Sequence, residues 1–347
     1  MGQVIYLVVR KILAANYMGL YKEDIMLDEI VTIFPPHIRQ ALTACMEKQR
    51  EREQWRNMEE IRVRINRPMQ FYSGGEEYFL RLQEPELVRG MRAAYIVRES
   101  DIQAILTFLS RYSIYAYEEE LRQGFLTLEG GHRVGVAGRA VSEHSRVVAL
   151  QDIQFLNVRI AHQCRGCAER IYPYLYGEGG ALNTLIMSPP GMGKTTLLRD
   201  CIRLLSDGAG GRSGCRVGVV DERSEIAACH RGIPQNDLGI RTDVLDGCSK
   251  AVGMRMLLRS MSPEVIAVDE LGGEEDFAAV EQVLYSGSRI LGTIHAEGVE
   301  QARKKPRLKR WLECGIFDRC IVIRCDARRG RGYAVMDGTG RQLWSDY

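Results

Sequence analysis

The sequence predicts an α/β fold: a mainly parallel sheet flanked by helices in the C-terminal half, preceded by a smaller α+β N-terminal domain. Three features lead to this reading. From Ala181 onward, short apolar runs alternate with helical stretches, the rhythm of βαβ units. The first of these runs passes through a glycine loop, "SPPGMGKTT" (Ser188–Thr196), directly into a helical pattern. Before Ala181 the pattern differs, because charged helical stretches mix with period-two alternation around Gly130 and Gly131, a hairpin signal.

In chain order, residues 1–25 match no clear period and are expected to be an extension outside the recognisable domains. Residues 26–155 form the α+β domain. It has a charged helical pattern between Pro36 and Arg56, a strand and turn in "EEIRVRINRPMQFY" (Glu59–Tyr72), two helices from Glu99 to Gly124, and a hairpin from Phe125 to Val141. Residues 156–180 read as a linker, and residues 181–347 as the parallel-sheet domain. Its strands are expected at Leu182–Ser188, Cys215–Glu222, Glu264–Glu270, Arg289–Ala296 and Arg319–Cys325. Helices are expected at Lys194–Ser206, Ser249–Met261, Phe277–Tyr285 and Val299–Cys314, and the Gly-rich stretch Asp207–Gly214 as a surface loop.

With 347 residues, 45% of them apolar, the chain has material for about two domains. Its 47 basic and 45 acidic residues give a formal charge of +2, which excludes the overall basic footprint of a nucleic-acid coat or a membrane-adsorbed protein. Ten cysteines scattered through helical and strand patterns fit a reducing, cytoplasmic compartment better than a disulfide scaffold. The run Val4–Val9 meets Arg10 and Lys11 and is far shorter than the ~20 apolar residues of a membrane span, so no membrane insertion is expected.

The glycine loop carries the chemistry. It fits the P-loop pattern G-x-x-x-x-G-K-[ST] at Gly193, Lys194 and Thr195, with Ser188 in place of the first glycine. A small residue serves there if its φ stays negative. In such a loop Pro189, Pro190, Gly191, Met192, Gly193 and Thr196 shape the cradle for the phosphates of ATP. Lys194 reaches the β- and γ-oxygens, and Thr195 ligates Mg2+. "EVIAVDE" is an apolar strand ending in two acids, of which Asp269 is placed to hold the Mg2+ shell and Glu270 to polarise the attacking water. A strand ending in Asp-Glu also serves simply as a helix cap, and its position after a glycine-loop strand favours the chemical role. Asp221, Glu222 and Glu225 end another strand, and Thr293 and His295 a fourth. A lone histidine is usually structural, but beside a γ-phosphate His295 would sense its loss.

The ordered set "SPPGMGKTTLLRD", "VVDERSEIA", "MLLRSMSPEVIAVDELG" and "ILGTIHAEG" resembles the type II/IV secretion ATPases, and within them the stage III sporulation protein AA family. "GFLTLEGGHRVGVAGRAV" and "RGIPQNDLGIRTDVLDGCSK" support the narrower resemblance. It implies a RecA-like P-loop ATPase core behind the N-terminal domain and a homo-hexameric ring hydrolysing ATP. The ring would energise a mother cell to forespore channel, on the mother-cell side, with membrane channel proteins as partners. Matched by motif, Lys194 and Thr195 are the Walker A pair, Glu222 the Asp-box acid, Glu270 the Walker B glutamate and His295 the His-box residue. Besides Ser188, the chain departs from many secretion ATPases in having Asp269 where they have glycine.

The resemblance also implies N-domain arginines that close on the nucleotide. Arg62, Arg64, Arg67, Arg133 and Arg139 are the candidates, each also readable as a surface charge. Arg255 and Arg259, one turn apart, are candidates for a subunit interface. "CRGC" (Cys164–Cys167) has half the ligands of a Zn2+ site and reads as packing, and the basic run Arg303–Arg310 as a solvated helix face or a nucleic-acid or lipid contact. Two other functions share these motifs: a nucleic-acid-dependent motor on the same core, and a nucleotide-gated scaffold with little turnover.

Overall fold

The computed structural model describes residues 30–49, 53–110, 124–143, 146–326 and 330–346, and the chain divides into two compact units, the first ending at His162 and the second beginning at Gln163. The expected extension and the second helix before Gly124 lie outside the described residues.

In the first unit, α1 (Pro36–Gln49) and α2 (Glu53–Arg56) precede β1 (Met58–Arg64), β2 (Gln70–Ser73), β3 (Glu76–Arg81) and β4 (Glu86–Val88). Then come α3 (Glu99–Ser110), β5 (Phe125–Thr127), β6 (Arg133–Glu143) and β7 (Arg146–Arg159). The strands form one 7-stranded antiparallel sheet in the order β4-β3-β2-β1-β7-β6-β5. In β1, Met58, Ile61 and Val63 are buried while the charged residues between them are not, and a register shift between Met58 and Glu60 keeps the apolar set on one face. Ile102, Ile105 and Leu109 form the buried stripe of α3 at helical spacing. The hairpin expected around Gly130 and Gly131 is the β5–β6 pair, with Thr127 opposite Arg133.

The second unit opens with the small pair β8 (Tyr176–Gly177) and β9 (Gly180–Ala181). Its sheet is built from β10 (Thr184–Ser188), β11 (Val217–Asp221), β12 (Thr242–Asp246), β13 (Val265–Val268), β14 (Arg289–His295), β15 (Arg319–Asp326), β16 (Gly330–Asp337) and β17 (Gln342–Ser345). The order is β12-β11-β13-β14-β10-β15-β16-β17. Strands β12 to β15 in that order run parallel, and β16 and β17 complete the edge antiparallel. Between the strands lie α4 (Lys194–Asp207), α5 (Lys250–Ser260), α6 (Glu274–Tyr285), α7 (Val299–Arg303) and α8 (Pro306–Glu313).

Strand β10 is buried on both faces. Ile186 joins Leu197, Cys201, Ile202 and Leu205 of α4, whereas Leu185 and Met187 join Met254 of α5, Val280 of α6 and Trp311 of α8. Each fully buried aliphatic side chain contributes about 1.5–3 kcal/mol, so the strand end from which the glycine loop leaves is held from two sides. The parallel register then sets the strand ends Ser188 and His295 beside one another, as it does Asp221 and Asp246, and sets Val268, the end of β13, beside Gly292 within β14.

Two local features differ from expectation. Strand β12 lies at the sheet edge, only partly buried, so its polar residues Thr242 and Asp243 hid it from an apolar-run reading. The helix expected over Val299–Cys314 is two helices. Pro306 has no N–H to continue the first, so it opens α8 instead, after Lys305 in extended geometry (φ −88°). The Gly-rich stretch Asp207–Gly214 is the expected surface loop, exposed from Gly210 to Ser213, and the Cys215 N–H that follows it donates to Leu205 O at 2.9 Å.

Candidate active site

Strand β10 ends at Ser188, which is fully buried and is not among the residues with positive φ. Its hydroxyl donates to Pro189 O at 2.8 Å. This position of the motif therefore needs no glycine here. The turn is made by Gly191 and Gly193, at φ 74° and 86°, where a side chain would be strained. Gly193 is the N-cap of α4 and brings no side-chain cap. The first-turn N–H groups of α4 have no intrahelical acceptor, and with the helix dipole they favour an anion.

Lys194, only 5% exposed, folds back over this loop. Its Nζ donates to Ser188 O (3.1 Å) and Pro189 O (3.0 Å) and lies 2.9 Å from His295 Nδ1. An ammonium has only donors, so Nδ1 accepts and Nε2 carries the proton, donating to Glu270 Oε1 at 2.8 Å. Burial pushes the Lys194 amine below its ordinary range, and the carboxylates of Asp269 and Glu270 partly offset this. Lys194, His295 and Glu270 thus form one chain of contacts, with Arg223 Nη1 closing on Glu270 Oε2 at 3.2 Å. Partial burial pushes the Glu270 carboxyl upward, but the hydrogen bond from His295 and the cations Arg223 and Lys194 outweigh it and hold the group below its ordinary value.

Asp269 accepts from two hydroxyls: Thr195 Oγ1 to Oδ2 at 2.6 Å, and Thr293 Oγ1 to Oδ1. The Thr293 oxygen in turn accepts from the Glu270 N–H at 2.9 Å. That bond fixes the peptide of Glu270, whose φ is 52°, a left-handed conformation uncommon for glutamate. A threonine hydroxyl and a carboxylate 2.6 Å apart beside a phosphate-type loop are hard oxygen donors, and Mg2+ is usually held by one or two such side chains together with substrate phosphates. The residues present fit that ion.

The next strand end divides its acids. Asp221 is buried and accepts from the N–H groups of Glu225, Ile226 and Ala227 at 2.7–2.9 Å, so it anchors the turn. Burial pushes its carboxyl up, against the pull of those three bonds. Glu222 pairs with Lys250 of α5 instead of reaching the Lys194 cluster, and Arg223 makes the contact to Glu270. Arg223 sits inside "VVDERSE", but no motif spacing singles it out, because its contact to Glu270 joins two strand ends.

The other expected residues make contacts of their own. In the first unit, Arg62 pairs with Glu60, Arg64 donates to Gln70, Arg133 lies over the Phe125 ring, and Arg67 and Arg139 are exposed. Arg255 is half-buried and Arg259 exposed on α5. The Cys167 thiol contacts Cys164 O and Thr196 O. Within the basic run, Arg303 reaches Glu300, Lys305 donates to His295 O at 2.6 Å, Arg307 meets Glu274 and Lys309 meets Glu313. Among the described residues no helix is long and apolar enough to cross a membrane.

The profile of the family described as "Sporulation stage III, protein AA" matches residues 27–343. The chain is 42% identical over 317 residues to stage III sporulation protein AA of Bacillus subtilis (strain 168), covering 91% of this chain and 97% of that one. Among solved structures, the Legionella pneumophila ATPase DotB aligns with a TM-score of 0.51 at 17% identity, over 81% of this chain and 77% of that one. The pilus retraction motor PilT with bound ADP aligns with a TM-score of 0.55 at 14% identity, over 85% and 81%. At these identities the likeness shows the fold alone, a RecA-like core preceded by an α+β domain.

Proposed function

Since this chain belongs to the stage III sporulation protein AA family, we propose that it hydrolyses Mg·ATP in a homo-hexameric ring. The ring would stand in the cytoplasm against a membrane complex, on the mother-cell side, and energise a channel to the forespore. The observation that carries the reading is the convergence of Lys194, Thr195, Asp269, Glu270 and His295 on one glycine loop. PilT, with the same fold, was solved with ADP.

The contacts support a role for each residue. Loop N–H groups and Lys194 take the phosphates, and Thr195 and Asp269 would hold Mg2+, which neutralises phosphate charge when bound. Glu270, held ionised by its neighbours, accepts a proton from the water whose oxygen attacks the γ-phosphorus as the bond to ADP breaks. To reach the phosphates, Lys194 must leave His295 Nδ1, so nucleotide entry changes the partners of an imidazole already bonded to Glu270. That exchange gives His295 a means of reporting phosphate occupancy. Glu222, paired with Lys250, is a reserve acid rather than the first base.

The test is steady-state phosphate release by the full chain with Mg·ATP, with and without DNA or RNA. Turnover that is indifferent to nucleic acid is expected, since several cations of the basic run are engaged within the chain. Absence of turnover would contradict the reading, and strong salt-sensitive stimulation by DNA would replace it with a nucleic-acid motor.

A further inference from the structure

One cation beside the loop has no part in the chemistry above. The guanidinium of Arg331, from β16, lies against Gly193. A Cβ built on Gly193 would stand 2.7 Å from Nη1, 2.9 Å from Cζ and 3.1 Å from Nη2 of Arg331. A side chain at this position would displace the guanidinium from where it lies, and Gly193 already needs its φ of 86° for the turn. The Tyr333 hydroxyl is a further neighbour of Arg331, and burial pushes it up to about 12 although the guanidinium works against that shift. Among the described residues no carboxylate pairs with Arg331, and its side chain is exposed.

The sheet order says which end of a ligand Arg331 faces. On one side of β10 stand β14 and β13, bearing His295, Thr293, Asp269 and Glu270, and Lys194 Nζ points to that side. On the other side stand β15 and β16, and Arg331 comes from there. A polyphosphate crossing the loop with its γ-phosphate at the acids and His295 directs its α-phosphate and nucleoside toward β16.

We propose that Arg331 is a nucleotide-binding residue that holds the α-phosphate end of a nucleoside di- or triphosphate through the paired donors of its guanidinium, the contact made possible by Gly193. The inference rests on the ATP reading above and adds a specific consequence. Arg331 retains the part of the nucleotide that survives hydrolysis, so it governs ADP release as much as ATP capture. A guanidinium without a carboxylate partner suits the task, because it binds phosphate bidentately and gives up no existing ion pair to do so.

The experiment measures binding of Mg·ADP and of a non-hydrolysable Mg·ATP analogue calorimetrically to the full chain, to Arg331→Gln and to Arg331→Ala, with melting curves as the fold control. Since the side chain is exposed, both variants should melt as the parent does. Each should bind both ligands about tenfold or more weakly, by similar factors, the scale of one charge-assisted hydrogen bond. The loss of affinity with added salt should also be shallower than in the parent. Parental ADP affinity in the variants overturns the inference, as does a loss confined to the ATP analogue. A parent that binds neither ligand overturns the ATP reading itself, a result distinct from either.

Discussion

Thr293→Val isolates the bond that shapes the acid pair. The substitution keeps the side-chain shape at a fully buried position but removes a hydroxyl that donates to Asp269 and accepts from the Glu270 N–H at 2.9 Å. A hydrogen bond to a charged acceptor contributes about 1.5–3 kcal/mol, and an orphaned buried N–H costs about 1–3 kcal/mol. Because the Glu270 N–H also reaches Asp269 Oδ1 at 3.1 Å, it is not fully orphaned, and the second cost falls at the low end. The expected loss is about 2–4 kcal/mol, which for a domain of this size lowers its melting temperature by roughly 5–15 °C. Thr293→Ser keeps the hydroxyl and forfeits one methyl, about 1 kcal/mol. Paired melting curves of the two variants, with Mg·ATP turnover below both transitions, read the difference. Valine should be the less stable and the less active. Equal behaviour of valine and serine would show that the hydroxyl does not support Asp269 and Glu270.

Two further outcomes follow from the same contacts. Lys194→Ala should abolish most Mg·ATP binding by calorimetry, since the phosphates lose a charge-assisted partner, and tight binding by that variant would refute the loop assignment. Glu270 sits below its ordinary value of 4.5, so its ionic contribution to stability is complete above that pH and is lost as pH falls through the lower folded-state value. The melting-temperature gap between the parent and Glu270→Gln should therefore hold steady through neutral pH and close only under acid, whereas a gap that vanishes near neutrality would reverse the sign.

What could be read from the sequence depended on how local its cause was. The strands ending at Ser188, Asp221, Val268 and His295 were legible, with ends displaced by no more than about two residues, because a strand buried on both faces writes a continuous apolar run, and the polar residue after it marks the ligand edge of a parallel sheet. The half-exposed edge strand β12 left no such run. Lys194 and Thr195 were legible from motif spacing, but the placement of Lys194 Nζ on His295 depends on register between β10 and β14, which no local pattern encodes. Arg223 and Arg331 escaped for the same reason. The first depends on the turn after β11, where Ser224 takes φ 52°, and the second on an antiparallel strand two places along the sheet from the loop. Glu222 was assigned by motif alone, and its pairing with Lys250 came from the packing of α5 beside β11.

The measurement that bears most directly on the ATP reading is a paired assay on Glu270→Gln. Glutamine keeps the size of the side chain and a hydrogen-bond acceptor for His295 Nε2, but it cannot take a proton from water. Mg·ATP should bind within a few-fold of the parental affinity while phosphate release falls by roughly 100-fold or more. Parental turnover in this variant would contradict the assignment of Glu270 as the water-activating group and move that role to Glu222.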